Sequence, residues 1–96
     1  MNAHGVYKFR LYVADQTQNS LQAEANLTAF CMEYLPDRHH IELVDVLRAP
    51  KRALDDGIFM TPTLVVLAPA PMRKIVGTLS QTLTILQTLK LDTQAA

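Results

Sequence analysis

The side chains with chemistry to offer are few: a single cysteine, Cys31; adjacent histidines, His39 and His40; adjacent carboxylates, Asp55 and Asp56; and two adjacent cation pairs, Lys51-Arg52 and Arg73-Lys74. A thiol acts as a nucleophile or redox group only where its surroundings favour the thiolate. Histidines hold a metal when further ligands stand at matching spacing. Neighbours in an extended chain point to opposite sides, and no carboxylate or thiol stands at ligand spacing, so His39 and His40 read as surface groups. Asp55-Asp56 reads as a helix-end loop or as a carboxylate pair for acid–base work, with neither a nucleophile nor a glycine-rich loop beside it. Nothing matches a P-loop, a Ser-His-Asp set or a dinucleotide fingerprint. Arg73-Lys74 reads either as a solvated strand edge that discourages unwanted pairing or as a cationic patch that steers a protein partner.

Composition narrows the partners. Nine basic and nine acidic residues cancel in a chain of 96, which argues against nucleic acid or an anionic membrane as the main partner. With 49% hydrophobic residues, the chain has enough apolar surface to bury a core, and its length suits one domain spanning residues 1–96. A lone cysteine forms no internal disulfide, and the N-terminal stretch lacks a secretory signal pattern. The apolar runs fall far short of the roughly 20 residues of a membrane helix. Together these point to a cytoplasmic protein. Residues 1–5 and 93–96 read as short frayed tails.

The elements that must carry these side chains follow from periodicity. Residues 6–14 alternate apolar and basic positions and then turn wholly apolar, as in a strand that runs into the core. A polar loop, residues 15–20, offers Asn19 or Ser20 as a cap. Ala23, Leu27, Phe30, Cys31 and Tyr34 then fall on one helix face that ends before Pro36. This places Cys31 inward, as an inert packed thiol. Residues 41–47 read as a central parallel strand, apolar on both faces. Pro50 suits the first turn of a short helix that Gly57 terminates. The run 63–67 and the run 72–76 read as neighbouring strands joined by Pro69-Ala70-Pro71. Pro62, without an amide hydrogen, belongs at the mouth of the first of them and is a candidate cis-proline. Arg73 and Lys74 would lie beside Lys8 and Arg10 if the first strand is near. Ser80 is a candidate cap for a last amphipathic helix through Leu79, Leu83, Ile85, Leu86, Leu89 and Lys90.

The resulting order, βαβαββα, is the thioredoxin-like arrangement, with Pro62 where that fold has its cis-proline. Its redox centre would be a Cys-x-x-Cys at the end of the first strand, where a helix N-terminus lowers the thiol pKa. Residues 15–20 contain no cysteine, which excludes a disulfide oxidoreductase.

The chain resembles the KaiB family of cyanobacterial and bacterial clock-type proteins over nearly its whole length. The resemblance is carried by Leu11-Tyr12-Val13-Ala14 with Thr17 and Asn19-Ser20, by Val44-Asp45-Val46-Leu47 with Pro50, by Thr61-Pro62-Thr63-Leu64, by Pro69 and Pro71, and by Arg73-Lys74-Ile75-Val76-Gly77 with Leu79-Ser80. It implies a non-enzymatic binding protein without cofactor. The implied partner is a KaiC-like hexameric RecA-type ATPase, with a KaiA-like protein as a further partner. It also implies a fold-switcher, whose alternative is the tetrameric KaiB ground-state fold, βαββααβ, with the change falling from about Arg48 onward. The thioredoxin-like state is the monomeric, ATPase-binding one in that family, and a homo-oligomer of this chain is expected to be a dimer or tetramer.

Departures at Asp15, Gln18, Ala70 and Gln81-Thr82-Leu83 mark a divergent relative. Thr88 and Lys90 stand where the family usually has glycine and aspartate. Threonine costs a helix less than glycine, and a cation near the helix C-terminus is favourable where an anion is not. Thr88 and Lys90 are therefore candidate determinants of the thioredoxin-like state. The expected docking surface is one sheet edge, the short second helix and the basic residues Lys51, Arg52, Arg73 and Lys74. A second reading is a stand-alone thioredoxin-fold stress or signalling module, similar to the sensory domain of the KaiC-binding histidine kinases. The kinase version of that reading is the less expected one, since the sequence stops about six residues after the last expected helix.

Overall fold

The computed structural model describes residues 5–91, so the terminal tails expected from the sequence lie, except for Gly5, outside the described residues. The elements run β1 (Tyr7–Val13), α1 (Gln18–Tyr34), β2 (His39–Asp45), α2 (Pro50–Asp55), β3 (Thr63–Ala68), β4 (Arg73–Val76) and α3 (Thr82–Leu89). The sheet order is β2-β1-β3-β4. β1 and β2, joined through α1, are parallel, while β3 runs antiparallel to both β1 and β4.

Alternation along β1 sorts its side chains between two layers. Phe9, Leu11 and Val13 face one way and pack with Ala23, Leu27, Phe30 and Cys31 of α1, Leu64 and Val66 of β3, and Ile85, Leu86 and Leu89 of α3. Tyr12 faces the other way and packs with Val44, Val65, Ala53 of α2 and Ile58 just after it. Burying each large apolar side chain stabilises the fold by about 1.5–3 kcal/mol. The first layer, with its leucines and phenylalanines, therefore dominates, and α2 rests on a much smaller apolar footprint.

Several local expectations shift. α1 is capped by Thr17, whose side chain accepts from the Ser20 amide, and not by Asn19 or Ser20. Ser20 lies one turn inside, buried, where its hydroxyl oxygen accepts from the Ala14 amide at 3.0 Å. β2 begins and ends two residues earlier than the run 41–47, because its pairing starts at Tyr7 opposite His39 and stops at Val13 opposite Asp45. The carbonyl of Asp45 then accepts the amides of Arg48 and Ala49, which closes a turn.

β2 is an edge strand, not a central one, since β3 takes the other side of β1. Leu43 and Leu47, apolar residues that suggested a buried strand, are exposed. α3 starts at Thr82, and no side chain caps it, Ser80 included. Leu79 precedes the helix at φ 63° and turns its side chain into the core. Lys90 is not a helix-face residue but the C-cap, in the left-handed conformation at φ 58° and ψ 37°.

Candidate functional site

The β1–α1 junction is the first place to look for chemistry. Asp15 sits at φ 53° and opens the turn. The Thr17 hydroxyl donates to the Ser20 hydroxyl oxygen at 2.9 Å. No thiol stands there. Cys31 is fully buried on α1, and burial pushes its pKa up to about 12. Among the described residues no group of three or more His, Cys, Asp or Glu is placed to hold a metal. His39 and His40 both lie in β2, and the His39 Nδ1 is 2.8 Å from the Leu35 carbonyl oxygen, which closes the loop before the strand.

The opposite face, under α2, gathers the charged groups. The Tyr12 hydroxyl donates to the carboxylate of Asp56 and lies 3.2 Å from the Arg52 carbonyl oxygen. Arg10, two residues earlier on the same face of β1, reaches Asp56 through Nη1 at 3.0 Å and Glu42 of β2 through Nε at 2.8 Å. Arg52 of α2 closes the circuit on the other Glu42 oxygen at 2.8 Å. The electrostatics follow the geometry. Hydrogen bonds from Arg52 and Arg10 lower Glu42 to about 2. The Tyr12 hydrogen bond, then Arg10, holds Asp56 below its ordinary value. Desolvation and the carboxylate beside it push the Tyr12 hydroxyl up.

The two aspartates therefore do different work. Asp55 pairs with Lys51 one helical turn away, at 3.1 Å and fully in solvent's reach, whereas Asp56 points at the sheet. This is no paired-carboxylate acid–base site.

The two cations of β4 also part. Neither lies beside Lys8 or Arg10, because β3 runs between β1 and β4; Val65 separates Arg10 from Lys74 in register. Arg73 faces α3, where its Nη1 donates to the Thr88 carbonyl oxygen at 2.6 Å and its Nη2 to the Pro69 carbonyl oxygen at 3.1 Å. Lys74 faces α2, where its charge contributes to lowering Asp56. Lys51, Arg52 and Lys74 are thus on the α2 side, and Arg73 and Thr88 are tied together on the other.

The Thr61–Pro62 peptide is cis, and the Pro62 carbonyl accepts the Gly77 amide at 2.9 Å, joining the mouth of β3 to the end of β4. Beside it, Phe59 is 85% exposed, and Met60, Leu54 and Leu47 are also largely exposed. Sequence reasoning missed Tyr12, Glu42 and the Asp56 contacts. Their signal was present in the alternation that puts Arg10 and Tyr12 on one face of β1.

The architecture is that of a thioredoxin-like protein without a redox thiol at the β1–α1 junction. It aligns with the N-terminal domain of Synechococcus elongatus SasA at a TM-score of 0.76 and 16% identity, covering 100% of this chain and 92% of that one. It aligns with mitochondrial thioredoxin 3 of Saccharomyces cerevisiae at 0.71 and 17%, covering 90% and 78%.

The sequence resolves the family. A KaiB domain model matches residues 10–91. The circadian clock protein KaiB3 of Synechocystis is 41% identical over 73 residues, 76% of this chain and 72% of that protein. The circadian clock oscillator protein KaiB of Prochlorococcus marinus is 39% identical over 80 residues, 83% and 75%. The chain belongs to the KaiB family. Among the described residues no helix is long and apolar enough to cross a membrane.

Proposed function

We propose that this chain is a non-enzymatic regulatory binding protein of a circadian or clock-derived system. In this reading it acts as one domain in the cytoplasm, docks on a KaiC-like RecA-type ATPase and modulates its phosphorylation or signalling, with a KaiA-like protein as a further partner. The observation that carries the reading is a KaiB-family chain in a thioredoxin-like frame whose β1–α1 junction holds hydroxyls and no thiol. With its reactive position empty of chemistry, the surface is what remains to act. α2 and the loop after it offer exposed Leu54, Phe59 and Met60 beside Lys51, Arg52 and Lys74. An apolar centre with charged surroundings suits protein docking.

The test mixes the purified chain with a KaiC-like hexamer and ATP and follows co-elution by light scattering. Association supports docking, and its absence overturns it. Lys51→Glu combined with Lys74→Glu is expected to slow association about tenfold, the effect of losing favourable charge steering; an unchanged rate removes these cations from the interface. Arg73→Glu is a separate probe, because Arg73 also holds α3.

A second reading is a stand-alone thioredoxin-fold stress or signalling interaction module without redox activity, whose fold the SasA N-terminal domain shares. In that case the hexamer is not bound, while the fold and the inert Cys31 persist.

A further inference from the structure

α2 is held to the rest of the molecule differently from α1 and α3. It has six residues, too few for a helix to persist on its own. Its first turn has no side-chain cap, and of its own residues only Ala53 is buried. The turn before it and the loop after it add half-buried Ala49 and buried Ile58. What remains is polar: Tyr12 to Asp56, Arg10 to Asp56 and Glu42 to Arg52, with Arg10 and Glu42 themselves paired across β1 and β2. The groups that face Asp56 are Tyr12 and Arg10 from β1 and Lys74 from β4. Those that face Glu42 are Arg10 from β1 and Arg52 from α2. Partly exposed ion pairs are each worth less than about 1 kcal/mol and weaken with salt. α1 and α3, by contrast, carry leucine, isoleucine and phenylalanine side chains into the main core, which salt does not loosen.

We propose that residues 49–58 form a strap that opens as one unit, latched to the sheet by the Tyr12–Asp56–Arg10–Glu42–Arg52 network, while β1, β3, α1 and α3 stay folded. Opening uncovers Tyr12, Val44 and Val65, an apolar strip of the sheet that is fully or almost fully buried when the strap is closed. It also removes the helical surface that Lys51 and Leu54 present. Segments with few apolar contacts lie at the low end of a protein's opening free energies, and the network makes this opening dependent on ionic strength. The strap is a property of the chain alone and stands whichever partner α2 meets.

The proposal is tested by native-state hydrogen exchange, resolved by residue, on the full chain. The reporters are the Ala53, Asp56, Gly57 and Ile58 amides, which are bonded within the strap. Raising salt from about 0.01 M to about 1 M shortens the screening length from about 30 Å to about 3 Å. Exchange of the four amides is expected to quicken together, tenfold or more, with α1 and the centre of the sheet unchanged. Tyr12→Phe and, separately, Asp56→Asn are expected to quicken the same amides at low salt, and Asp56→Asn to flatten their salt response. Uniform acceleration across the whole protein, or strap amides that respond to neither salt nor substitution, overturns the proposal. The wild-type salt series decides the question even where a variant fails to fold.

Discussion

Asp56, at the end of α2, accepts the hydroxyl of Tyr12 from the C-terminal end of β1, so a side chain buried in the sheet reaches through to hold the last turn of a helix 44 positions away in sequence. The contact joins a charged acceptor to a neutral donor, which is the stronger kind of hydrogen bond.

Tyr12→Phe removes that donor and leaves the ring in place. Stability is expected to fall by about 1.5–3 kcal/mol, the range for a hydrogen bond to a charged group, with the circular dichroism of the folded state preserved. Urea denaturation of wild type and variant gives the difference. A change below about 0.5 kcal/mol, the low end for an ordinary hydrogen bond, would show that Asp56 is satisfied by Arg10 alone.

Glu42 and Asp56 both have folded pKa values below their ordinary ones, Glu42 falling from 4.5 to about 2. A depressed folded pKa contributes stability that is complete above the unfolded value and is lost as pH falls through the folded value. Stability should therefore be flat near neutrality and decline from about pH 4.5 towards about pH 2. Glu42→Gln should flatten part of that decline, by less than the full shift implies, because Glu42 is partly exposed and solvent screens it. Equal acid slopes for wild type and variant would assign the loss to other carboxylates.

Cys31 should not react with a maleimide or disulfide reagent while the protein is folded, since its thiol is fully buried and its pKa is pushed up to about 12. Denaturation should release one reactive thiol per chain. Rapid labelling of the native protein would restore a chemical role for it.

Thr88 and Lys90 offer a test at the other end of the chain. Thr88→Gly with Lys90→Asp should weaken α3 by about 1–2 kcal/mol, from helix propensity and from an anion set at the C-terminus. Lys90→Gly should act in the opposite sense, because Lys90 is left-handed at φ 58° and glycine relieves about 1 kcal/mol there. Size-exclusion chromatography with chemical shifts for residues 82–89 would follow both. If the double variant stays helical and keeps its size, these positions do not set the fold state.

The element order was readable because the apolar spacings change cleanly from two to three-and-four and back, and because prolines and glycines mark the joints. The rank of the strands was harder. Val44 and Leu43 both look buried in sequence, yet Leu43 faces out at 47% exposure, since nothing in the run 41–47 says on which side of β1 the hairpin will insert. The same gap misplaced Arg73 and Lys74 beside Arg10. Caps shifted by one to three positions because Thr17, Asn19 and Ser20 are all capable oxygens, and the backbone turn at Asp15 selects among them. The network under α2 was invisible for a related reason. Arg10, Glu42 and Asp56 are distant in sequence, and only parallel pairing of β1 with β2 brings the first two level.

Arg73 and Lys74 are neighbours in the chain that serve opposite sides of the molecule, one gripping the end of α3 and the other standing over the Asp56–Gly57 corner, where a Cβ on Gly57 would meet its Nζ at 3.2 Å. The four-residue edge strand that carries them is thereby a stitch through the whole thickness of the protein. A displacement of β4 by a single residue would exchange the two cations between faces, leaving the Thr88 carbonyl without its guanidinium and the α2 corner with the wrong charge shape. Register at this outer edge is written into both helices at once.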